Sequence, residues 1–531
     1  MVELRSKPLG GSSLVTEWLQ GSSRVRPFYP VAPGDLAGYR EVAGAVGRRF
    51  GGQDRERVAA LLQGGGDDRR ERLEAFVERD GFVVTTGQQP GLFGGPLYTL
   101  YKGFTVAALA RRLEEALERP VLPVFWIASE DHDWDEARST HVLDPENQVH
   151  EISLDSREGL PAPALHSLPL GDEVVRARDR LTALLPGTDF SERWLQVVTE
   201  AYAPGTTLPE AFQSLLESLL GDEGVFLVQS HDPGLKEASL PLLLTELDRV
   251  RQSEEELRER GRALEDEGFS LQVPLLEGAT NLFLEGPRGR ERLFVEGDDR
   301  FRLRRSGESV GRRELEDQVR NAPGALSPNV LLRPVVEGRV LPTLCYVAGP
   351  GEAAYLPQTE PLFRAHGVTR PVTHPRVSLS VMEGKVAKVL EKFSLELEDL
   401  DQPHHELVGR LIRDEIPEGI RQALGGLRGD VARGSGTLAR EVAEVDPTLK
   451  GPVEHLRNQA FGLLDEVEKK VVQSLKREQE VTLAQIRKAQ VNLFPLGRPQ
   501  ERVLSPFQYL VRYDREFVDQ VGRRAREAVL P

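Results

Sequence analysis

Two hydrophobic runs in the first third of the chain each end in a dense polar cluster. Residues 82–86 lead into a glycine-rich segment over 87–96, and residues 121–128 lead into an acidic segment over 129–136. The residues between them, 97–118, carry a helical pattern. Short apolar runs bounded by turn residues predict buried parallel strands. The three segments therefore form a βαβ unit, and both clusters are predicted to face one crevice at the carboxyl ends of the strands.

Further apolar runs extend this α/β pattern. Strands are predicted over 148–154, 224–230, 340–348 and 371–378, and residues 231–234 form a third polar cluster after an apolar run. Helical periodicity covers 174–222 and 235–266, and an antiparallel meander is predicted over 268–304. The predicted organisation is an N-terminal helical segment (1–80), a parallel-sheet core in two parts (81–267, which includes a helical insertion, and 311–380), a small antiparallel insertion (268–310), a helical arm (381–495) and a C-terminal segment that returns to the core (496–531).

The arm contains a long predicted helix, residues 455–490, with no proline and one glycine. Its apolar residues partly follow a three-to-four spacing: Leu464, Val467, Val471, Leu475, Thr482 and Ile486. A long amphipathic helix needs a partner for its apolar stripe. That partner is either an earlier helix of an ordinary hairpin or a second copy of the chain.

Composition narrows the class of protein. The 531 residues are 39% hydrophobic and 29% charged, without an apolar run long enough to span a membrane and without an apolar signal segment. A single cysteine, Cys345, excludes an intrachain disulfide framework and a cysteine-rich zinc site. We therefore expect a cytoplasmic protein that does not insert into membranes. The net charge of −16 disfavours nucleic-acid binding but allows a local basic pocket for a small anion.

The glycine-rich strand ends are candidate substrate- or nucleotide-binding loops. Glycine lets a ligand approach the backbone closely, and a following helix N-terminus favours an anion. The residues predicted to serve in this way, with two glutamines as hydrogen-bonding groups, are Gly87, Gln88, Gln89, Gly95, Gly349 and Gly351. The first loop matches neither GxxxxGK[ST] nor GxGxxG. Tight strand–helix turns are therefore the alternative reading.

Basic, aromatic and hydroxyl side chains near these loops are predicted to contact the same ligand. Tyr98 and Lys102 share a helix face, and Lys102 would meet an anion there unless it is simply solvated. Arg376 offers bidentate anion recognition beside Ser378, with a structural salt bridge as the alternative. Arg502 belongs to a polar group that either folds back on the core or begins a helix.

The acidic segment 129–136 carries the sharpest chemical signal. It places an imidazole, His132, among five carboxylates, including Glu130 and Asp133. A carboxylate beside an imidazole suits general base catalysis, with the acid fixing the ring tautomer. The same groups could hold Mg²⁺ or a transition metal, but no metal-ligand spacing is present and no bound metal is predicted. A helix-capping acidic turn is the alternative.

Several long motifs together resemble one family, the BshC enzymes that add cysteine in bacillithiol biosynthesis. The similar segments span nearly the whole chain and are residues 86–92, 95–99, 123–133, 348–355 and 499–502. The resemblance implies a ligase that joins cysteine to glucosaminyl-malate through an amide bond, the last step to bacillithiol. It also implies a Rossmann-like core with connecting-peptide insertions and a C-terminal coiled coil that forms a homodimer. The core of that family is similar to class I synthetase-type nucleotidyltransferases, yet this chain has neither a HIGH nor a KMSKS signature.

The functional expectation is therefore carboxylate activation followed by amide formation. ATP with Mg²⁺ is the expected activating cosubstrate, and cysteine and glucosaminyl-malate are the expected substrates. The first alternative is a nucleotidyltransferase-like or hydrolytic enzyme that acts on another small anionic substrate. The second is a non-enzymatic dimeric scaffold that binds a metabolite. The sequence leaves the identity of the general base open.

Overall fold

The computed structural model of the chain describes residues 2–62, 66–414, 416–478 and 480–529. Contacts divide the chain into two units, Met1–Val381 with Gln500–Pro531, and Met382–Pro499. Every residue predicted to serve in the site lies in the first unit. The predicted α/β class is confirmed.

The first unit begins with a strand that the sequence pattern did not predict. Val2 and Leu4 point inward from this short segment, whose alternation covers too few residues to be recognised in the sequence. The elements before the sheet core are β1 (Val2–Ser6), α1 (Ser13–Leu19), α2 (Leu36–Gly47), α3 (Gly52–Leu61) and α4 (Asp67–Glu78). The predicted helical segment is thus largely helical, with an added edge strand.

The core then alternates strands and helices. Its first part contains β2 (Phe82–Gln88), α5 (Tyr98–Leu117), β3 (Val121–Ile127), α6 (Trp134–Ala137), β4 (Ser139–Leu143), β5 (Val149–Ser153), α7 (Glu173–Leu184), α8 (Ser191–Ala201), α9 (Leu208–Leu220), β6 (Phe226–Gln229), α10 (Pro233–Asp248) and α11 (Val250–Asp266). The charged segment predicted as one helix over 235–266 is two helices. The break falls at Arg249, whose φ of −117° lies outside the helical range.

The remainder of the first unit contains the antiparallel insertion and the second part of the core. Its elements are β7 (Ala279–Gly286), β8 (Gly289–Val295), β9 (Arg300–Leu303), β10 (Ser309–Gly311), α12 (Arg312–Asn321), β11 (Leu326–Pro328), α13 (Arg333–Val340), β12 (Thr343–Ala348), α14 (Pro350–Tyr355), α15 (Glu360–Ala365), β13 (Val372–Pro375) and β14 (Leu379–Glu383). The insertion forms a sheet in the order β10-β9-β8-β7-β11. Its last strand lies beyond residue 310, the predicted end of the insertion, because β11 pairs back onto β7.

The central sheet has the order β13-β12-β2-β3-β6, with neighbouring strands parallel. Both faces are covered, which is why β3 is buried along its whole length. Leu122, Val124 and Trp126 pack with residues of α3 and α4 on one face. On the other face, Phe125 contacts Phe212 of α9, with ring centroids 6.3 Å apart. These layers fix the carboxyl ends of the strands at one edge.

The second unit is helical and consists of α16 (Gly384–Phe393), α17 (His404–Asp414), α18 (Glu418–Val445), α19 (Lys450–Glu478) and α20 (Glu480–Leu493). Apolar residues of α16, α17 and α20 form a shared core. Arg428 of α18 pairs with Asp465 of α19 at 2.6 Å and with Glu468 at 2.7 Å, so these two helices form an antiparallel hairpin. The helix predicted over 455–490 falls on α19 and α20, and Gln479 lies outside the described residues.

The chain then returns to the first unit through α21 (Phe507–Ala528). The N–H of Leu97 donates to the carbonyl of Leu504 at 2.9 Å, and α21 packs on α5. Among the residues that the structure describes, none of the helices combines the length and hydropathy needed to cross a membrane.

Candidate functional site

The carboxyl edge of the central sheet brings the two predicted polar loops together. Gln88 lies opposite Ile127 in the β2–β3 pairing, and the N–H of Ala128 donates to the carbonyl of Gln88 at 3.0 Å. The Gln89 side chain reaches the second loop, where its Nε2 donates to the carbonyl of Asp133 at 3.1 Å. The glycine-rich loop and the acidic segment therefore share one crevice.

The glycine-rich loop itself is a tight turn, and two of its N–H groups are used within it. Phe93, Gly94 and Gly95 have φ values of 49°, 83° and 66°, the left-handed region where glycine is favoured. The N–H of Gly94 meets the carbonyl of Gly91 and the hydroxyl of Tyr202, and the N–H of Gly95 donates to the carbonyl of Leu92. The N–H groups of Gly94 and Gly95 are therefore not left over for a phosphate.

Lys102 is buried beneath the same loop and already carries an acidic partner. Its Nζ lies 2.6 Å from Oε2 of Glu352 and donates to the carbonyl of Gly87 at 2.6 Å and to Oε1 of Gln88 at 3.1 Å. Burial lowers the pKa of Lys102 although Glu352 opposes this shift. Burial alone would raise the pKa of Glu352, but Lys102 together with the hydrogen bonds from Tyr346 and Gly349 lowers it. Lys102 is therefore not a solvated or free cation, and binding a substrate anion would require this pair to rearrange.

The pair continues into a buried chain of polar groups that sequence reasoning missed. The hydroxyl of Tyr346 donates to Oε1 of Glu352 at 2.6 Å and accepts from Arg333 at 3.0 Å. Arg333 also pairs with Glu337 at 2.8 Å. We call Lys102, Glu352, Tyr346, Arg333 and Glu337 the Lys102 network. It contains two cations and two carboxylates, so its charges are balanced.

Arg376 and Ser378 form the salt-bridged arrangement that was the alternative to anion binding. The guanidinium of Arg376 contacts both carboxylate oxygens of Glu501 at 3.0 and 3.1 Å, and the hydroxyl of Ser378 donates to the same carboxylate at 2.9 Å. Arg376 also lies over the ring of Tyr98, 5.5 Å from its centroid, and Nε2 of Gln88 donates to the Tyr98 hydroxyl at 3.3 Å. The predicted contact of Arg376 with a ligand is thus occupied by Glu501. Both predicted residues also line a cavity of about 410 Å³.

Two further predicted residues, Gly351 and Arg502, remain open to solvent or to a ligand. A side chain at Gly351 would meet nothing within 4 Å, whereas the N–H of Gly349 donates to Glu352 at 2.7 Å. Arg502 is exposed and has no hydrogen-bond or ion-pair partner among the residues that the structure describes. Burial raises the pKa of Tyr98, and the positive charge of Arg502 partly opposes this shift. Gly351 and Arg502 are the predicted binding residues with room for a ligand.

The acidic segment contains a helix-capping residue, a buried ion pair and a carboxyl group with a raised pKa. Asp133 caps α6 by accepting from the N–H of Glu136 at 3.1 Å, as the capping alternative predicts. Glu130 is buried, and its Oε1 lies 2.5 Å from Nζ of Lys236 on α10. Desolvation and the charges of Asp133 and Asp131 raise the pKa of the Glu136 carboxyl. The carboxyl group of Glu136 is therefore protonated more readily than that of an ordinary glutamate.

His132 does not have the carboxylate partner that its sequence neighbours suggest. Its Nδ1 lies 3.8 Å from Oδ1 of Asp131, beyond hydrogen-bond distance, and 3.2 Å from Nη1 of Arg290 on β8. Burial and the charge of Arg290 lower the pKa of His132 to about 4. His132 is therefore uncharged at neutral pH.

Two more histidines lie at the ends of β3 and β6. Nδ1 of His231 is 2.7 Å from the hydroxyl of Ser129, and the rings of His166 and His231 stack with centroids 4.2 Å apart. Burial, His231 and Lys236 lower the pKa of His166 to about 4, and burial lowers the pKa of His231. We call His132, His166, His231, Ser129, Glu130, Lys236 and Arg290 the histidine cluster.

Partial signals for this cluster are present in the sequence. His231 begins the third polar run after an apolar strand, a pattern that marks a strand end. Lys236 follows it by little more than one helical turn. Arg290 carries no such signal, because it lies in the antiparallel insertion, where its N–H donates to the carbonyl of Ala162 and its Nε donates to the hydroxyl of Ser327. Within the described residues, no three His, Cys, Asp or Glu side chains come together as metal ligands.

Comparison with known proteins assigns this architecture to a family. The model of the BshC N-terminal Rossmann-like domain matches residues 1–377, and the model of the BshC C-terminal coiled-coil domain matches residues 379–524. The chain belongs to the BshC family of bacillithiol biosynthesis. The resemblance inferred from the motifs is thereby confirmed, together with the Rossmann-like class of the core and the coiled-coil class of the arm.

BshC relatives match over nearly their full length. Proteins named "Putative cysteine ligase BshC" are 34% identical in Salinibacter ruber, covering 97% of this chain and 94% of that one, and 32% identical in Symbiobacterium thermophilum, covering 97% and 96%. The relative in Chlorobaculum tepidum is 30% identical and covers 91% and 88%. A solved structure titled as an arginyl-tRNA synthetase from Campylobacter jejuni covers 82% of this chain and 99% of its own at 10% identity, with a TM-score of 0.23, which supports no argument.

Proposed function

We propose that this protein is a ligase that joins the carboxyl group of cysteine to the amine of glucosaminyl-malate, forming the amide bond of bacillithiol. Family membership and the names of the relatives support the cysteine ligase class. The observation that carries the proposal is the contact between Gln89 and the loop of Asp133, which joins the two family motifs in one crevice. The substrate amine and the cysteine carboxyl group would meet at this edge.

The chemistry requires an activated carboxyl group, because a carboxylate does not condense with an amine in water. We propose ATP as the activating cosubstrate: transfer of AMP to the cysteine carboxylate releases pyrophosphate, or transfer of phosphate releases ADP. The amine then attacks the acyl carbon, the C–N bond forms, and AMP or phosphate leaves. The amine proton passes to a carboxylate of the acidic segment. No residue is assigned to the nucleotide, and within the described residues no three His, Cys, Asp or Glu side chains come together as ligands for its Mg²⁺.

Reconstitution tests this function directly. Purified protein is mixed with cysteine, glucosaminyl-malate, ATP and either Mg²⁺ or Zn²⁺, and product, AMP and ADP are measured by mass spectrometry. We expect the amide product and one equivalent of AMP or ADP. Absence of product under both metals would exclude direct catalysis by this protein alone, and product from another anionic acceptor would support the nucleotidyltransferase-like alternative.

His132→Ala distinguishes an enzyme from a binding scaffold. We expect loss of product formation by about 10²–10³-fold, since His132 lies in the crevice and its ring contacts Arg290. The matched control is His405→Ala, because His405 lies in the second unit with an exposed side chain. Full activity of H132A with an unchanged fold would remove His132 from the mechanism.

We further propose a homodimer formed through the helical hairpin. Exposed apolar residues recur along both helices at heptad-like spacings: Ile420, Leu427, Leu438 and Val445 on α18, and Leu456, Leu463 and Val467 on α19. Leu463→Glu should convert the dimer to a monomer in sedimentation equilibrium, whereas Asn458→Glu places the same charge elsewhere on α19 and should not. A wild-type monomer at micromolar concentration would refute the homodimer.

We further propose that the reaction takes place in the cytoplasm, and cell fractionation tests this location.

A further inference from the structure

The ring of His132 lies beside a guanidinium and an aromatic ring, both contributed by the antiparallel insertion. Arg290 of β8 reaches Nδ1 of His132 with its Nη1 at 3.2 Å. Phe283 of β7 has its ring centroid 5.6 Å from that of His132 and 4.1 Å from the guanidinium carbon of Arg290. Residues far apart in the sequence therefore fix one imidazole.

The contact between Arg290 and His132 determines which ring nitrogen carries the proton. A guanidinium has donors and no acceptor, so Nδ1 of His132 can only accept from it. An uncharged imidazole that accepts at Nδ1 carries its proton on Nε2. The competing partner, Asp131, lies too far away: its Oδ1 is 3.8 Å from Nδ1 and accepts instead from the N–H groups of His132 at 2.7 Å and of Asp133 at 3.2 Å.

Arg290 is itself anchored by neutral groups. Its Nε donates to the hydroxyl of Ser327 at 2.8 Å, and its Nη2 donates to the carbonyl of Pro328 at 2.7 Å. The side chain is buried, with 8% of the residue exposed, and no carboxylate of the described residues lies within ion-pair distance of it. Buried arginines normally have such a partner. This one is instead fixed in the geometry that donates to the imidazole.

Charged groups face this pair from each neighbouring element. Asp131 and Asp133 of the same loop, Arg290 of β8 and Arg305 face His132. Glu130, Asp131 and Glu285 face Arg290, and Glu130 is already paired with Lys236. Close contact with Arg290 disfavours a second positive charge on the ring more than the more distant carboxylates favour it.

We propose that Arg290 is a positioning residue that holds His132 as a hydrogen-bond donor, with its ring proton on Nε2. This inference deepens the proposed ligase function and rests on it only for the reaction. In the ligation, His132 donates to the oxyanion that develops on the cysteine carbonyl oxygen when the amine attacks. The proton that the amine loses passes to a carboxylate of the acidic segment, and the shifted carboxylate Glu136 is the candidate. Donors aimed at a developing oxyanion typically contribute about 10²–10³-fold to the rate.

Nuclear magnetic resonance of the full-length protein tests the positioning step without any substrate. The protein is labelled with ¹⁵N-histidine, and the His132 ring signals are assigned by their loss in His132→Gln. We expect a neutral ring with the proton on Nε2 between pH 8 and 5. In Arg290→Met, the His132 pKa should rise by about one pH unit or more, toward the ordinary value near 6.5, with a mixture of tautomers. Arg288→Met is the matched control, because Arg288 is an exposed arginine close by on the chain.

Two measurements keep the test decisive if Arg290→Met does not fold. Ser327→Ala keeps the charge of Arg290 but removes one anchor, and it should populate the Nδ1-protonated tautomer in part. The wild-type spectrum alone overturns the proposal if Nδ1 carries the proton or if His132 titrates near 6.5. Unchanged His132 signals in both variants would also overturn it.

A pair of substitutions at position 132 tests the donor role in the reaction. The amide nitrogen of glutamine falls near the position of Nε2, so His132→Gln retains a donor but cannot act as a base. We expect H132Q to stay within about tenfold of wild type while H132A loses about 10²–10³-fold. Equal loss in both variants would overturn the donor role. Absence of product in the wild type with the expected tautomer would instead refute the ligase function and leave the positioning of His132 intact.

Discussion

The Lys102 network and the histidine cluster occupy the same edge of the same sheet, yet their charges are arranged in opposite ways. In the Lys102 network, both cations have a carboxylate within 2.8 Å, and Tyr346 bridges the two pairs. In the histidine cluster, only Lys236 has such a partner, and Arg290 is anchored by a hydroxyl, a carbonyl and an imidazole. The charge-balanced Lys102 network is therefore expected to stabilise the fold, as a structural strut between β2, α5, α13 and α14. The cluster with the unpaired cation is the part of the edge that can respond to a substrate.

The largest effect is expected where the balanced network loses a charge. Glu352→Gln leaves the ammonium of Lys102 buried without its counter-charge, and breaking a buried pair typically costs about 3–5 kcal/mol. Urea unfolding measures the loss. Glu360→Gln is the control, because the Glu360–Arg364 pair is largely exposed and should cost less than about 1 kcal/mol. Equal costs for the two variants would mean that the network is not a structural strut.

A smaller loss is expected from the same kind of change in the histidine cluster. Lys236→Met removes the partner of Glu130, but the charge of Arg290 also acts on that carboxylate and replaces part of the lost attraction. We expect a cost of about 2 kcal/mol, with much of it recovered in the double variant Glu130→Gln/Lys236→Met. Calorimetric or urea unfolding of the wild type, Glu130→Gln, Lys236→Met and the double variant measures the coupling energy between the two side chains. If Lys236→Met lost more unfolding free energy than Glu352→Gln, the histidine cluster and not the Lys102 network would be the more stabilising of the two.

The pH dependence of stability sharpens the comparison through a buried histidine outside both groups. Burial lowers the pKa of His374 to about 4, whereas an unfolded histidine titrates near 6.5. Between these values the unfolded chain binds a proton that the folded chain does not. Stability should therefore fall by up to about 1.4 kcal/mol per pH unit as the pH drops through this window. His132 and His166 contribute to the same slope, so His374→Asn should reduce but not abolish the fall of the urea midpoint between pH 6.5 and 5. An unaltered slope would contradict burial as the cause.

The smallest structural effect is expected at Arg502. Because the side chain is exposed and unpaired, Arg502→Met should change stability by less than about 0.5 kcal/mol. If Arg502 binds an anionic substrate, the same variant should raise KM and leave kcat unchanged. Steady-state kinetics with each substrate varied in turn measures both constants. An unaltered KM for every substrate would remove Arg502 from the binding site.

The sheet and the crevice were predictable, because continuous apolar runs followed by polar clusters specify parallel strands and their carboxyl ends. The partners of the charged residues were not. Lys102 meets Glu352 only because β12 lies beside β2, a neighbour distant in sequence. Arg376 appeared free to bind an anion because Glu501 lies beyond the whole helical arm. Pairings between distant segments are set by topology, which local patterns do not encode.

His132 illustrates the same limit within a single segment. Five nearby carboxylates suggested an acid–imidazole pair, but Asp131 accepts from the backbone N–H groups of His132 and Asp133, and Asp133 caps α6. Neighbours in sequence compete for the same backbone donors, so proximity along the chain does not establish contact with a ring. The partner that does reach the ring, Arg290, comes from the antiparallel insertion.

The return of the chain at Gln500 has a consequence for how this architecture tolerates change. The side chain of Gln500 makes two hydrogen bonds to the backbone of Val381: it accepts from the N–H at 2.5 Å and donates to the carbonyl at 3.3 Å. The chain segment between Val381 and Gln500 thus leaves the first unit and rejoins it at adjacent positions. A short flexible tether in place of this segment would give a core that keeps the strand pairings of the central sheet, so that the chemistry at its edge can be assayed without the helical arm.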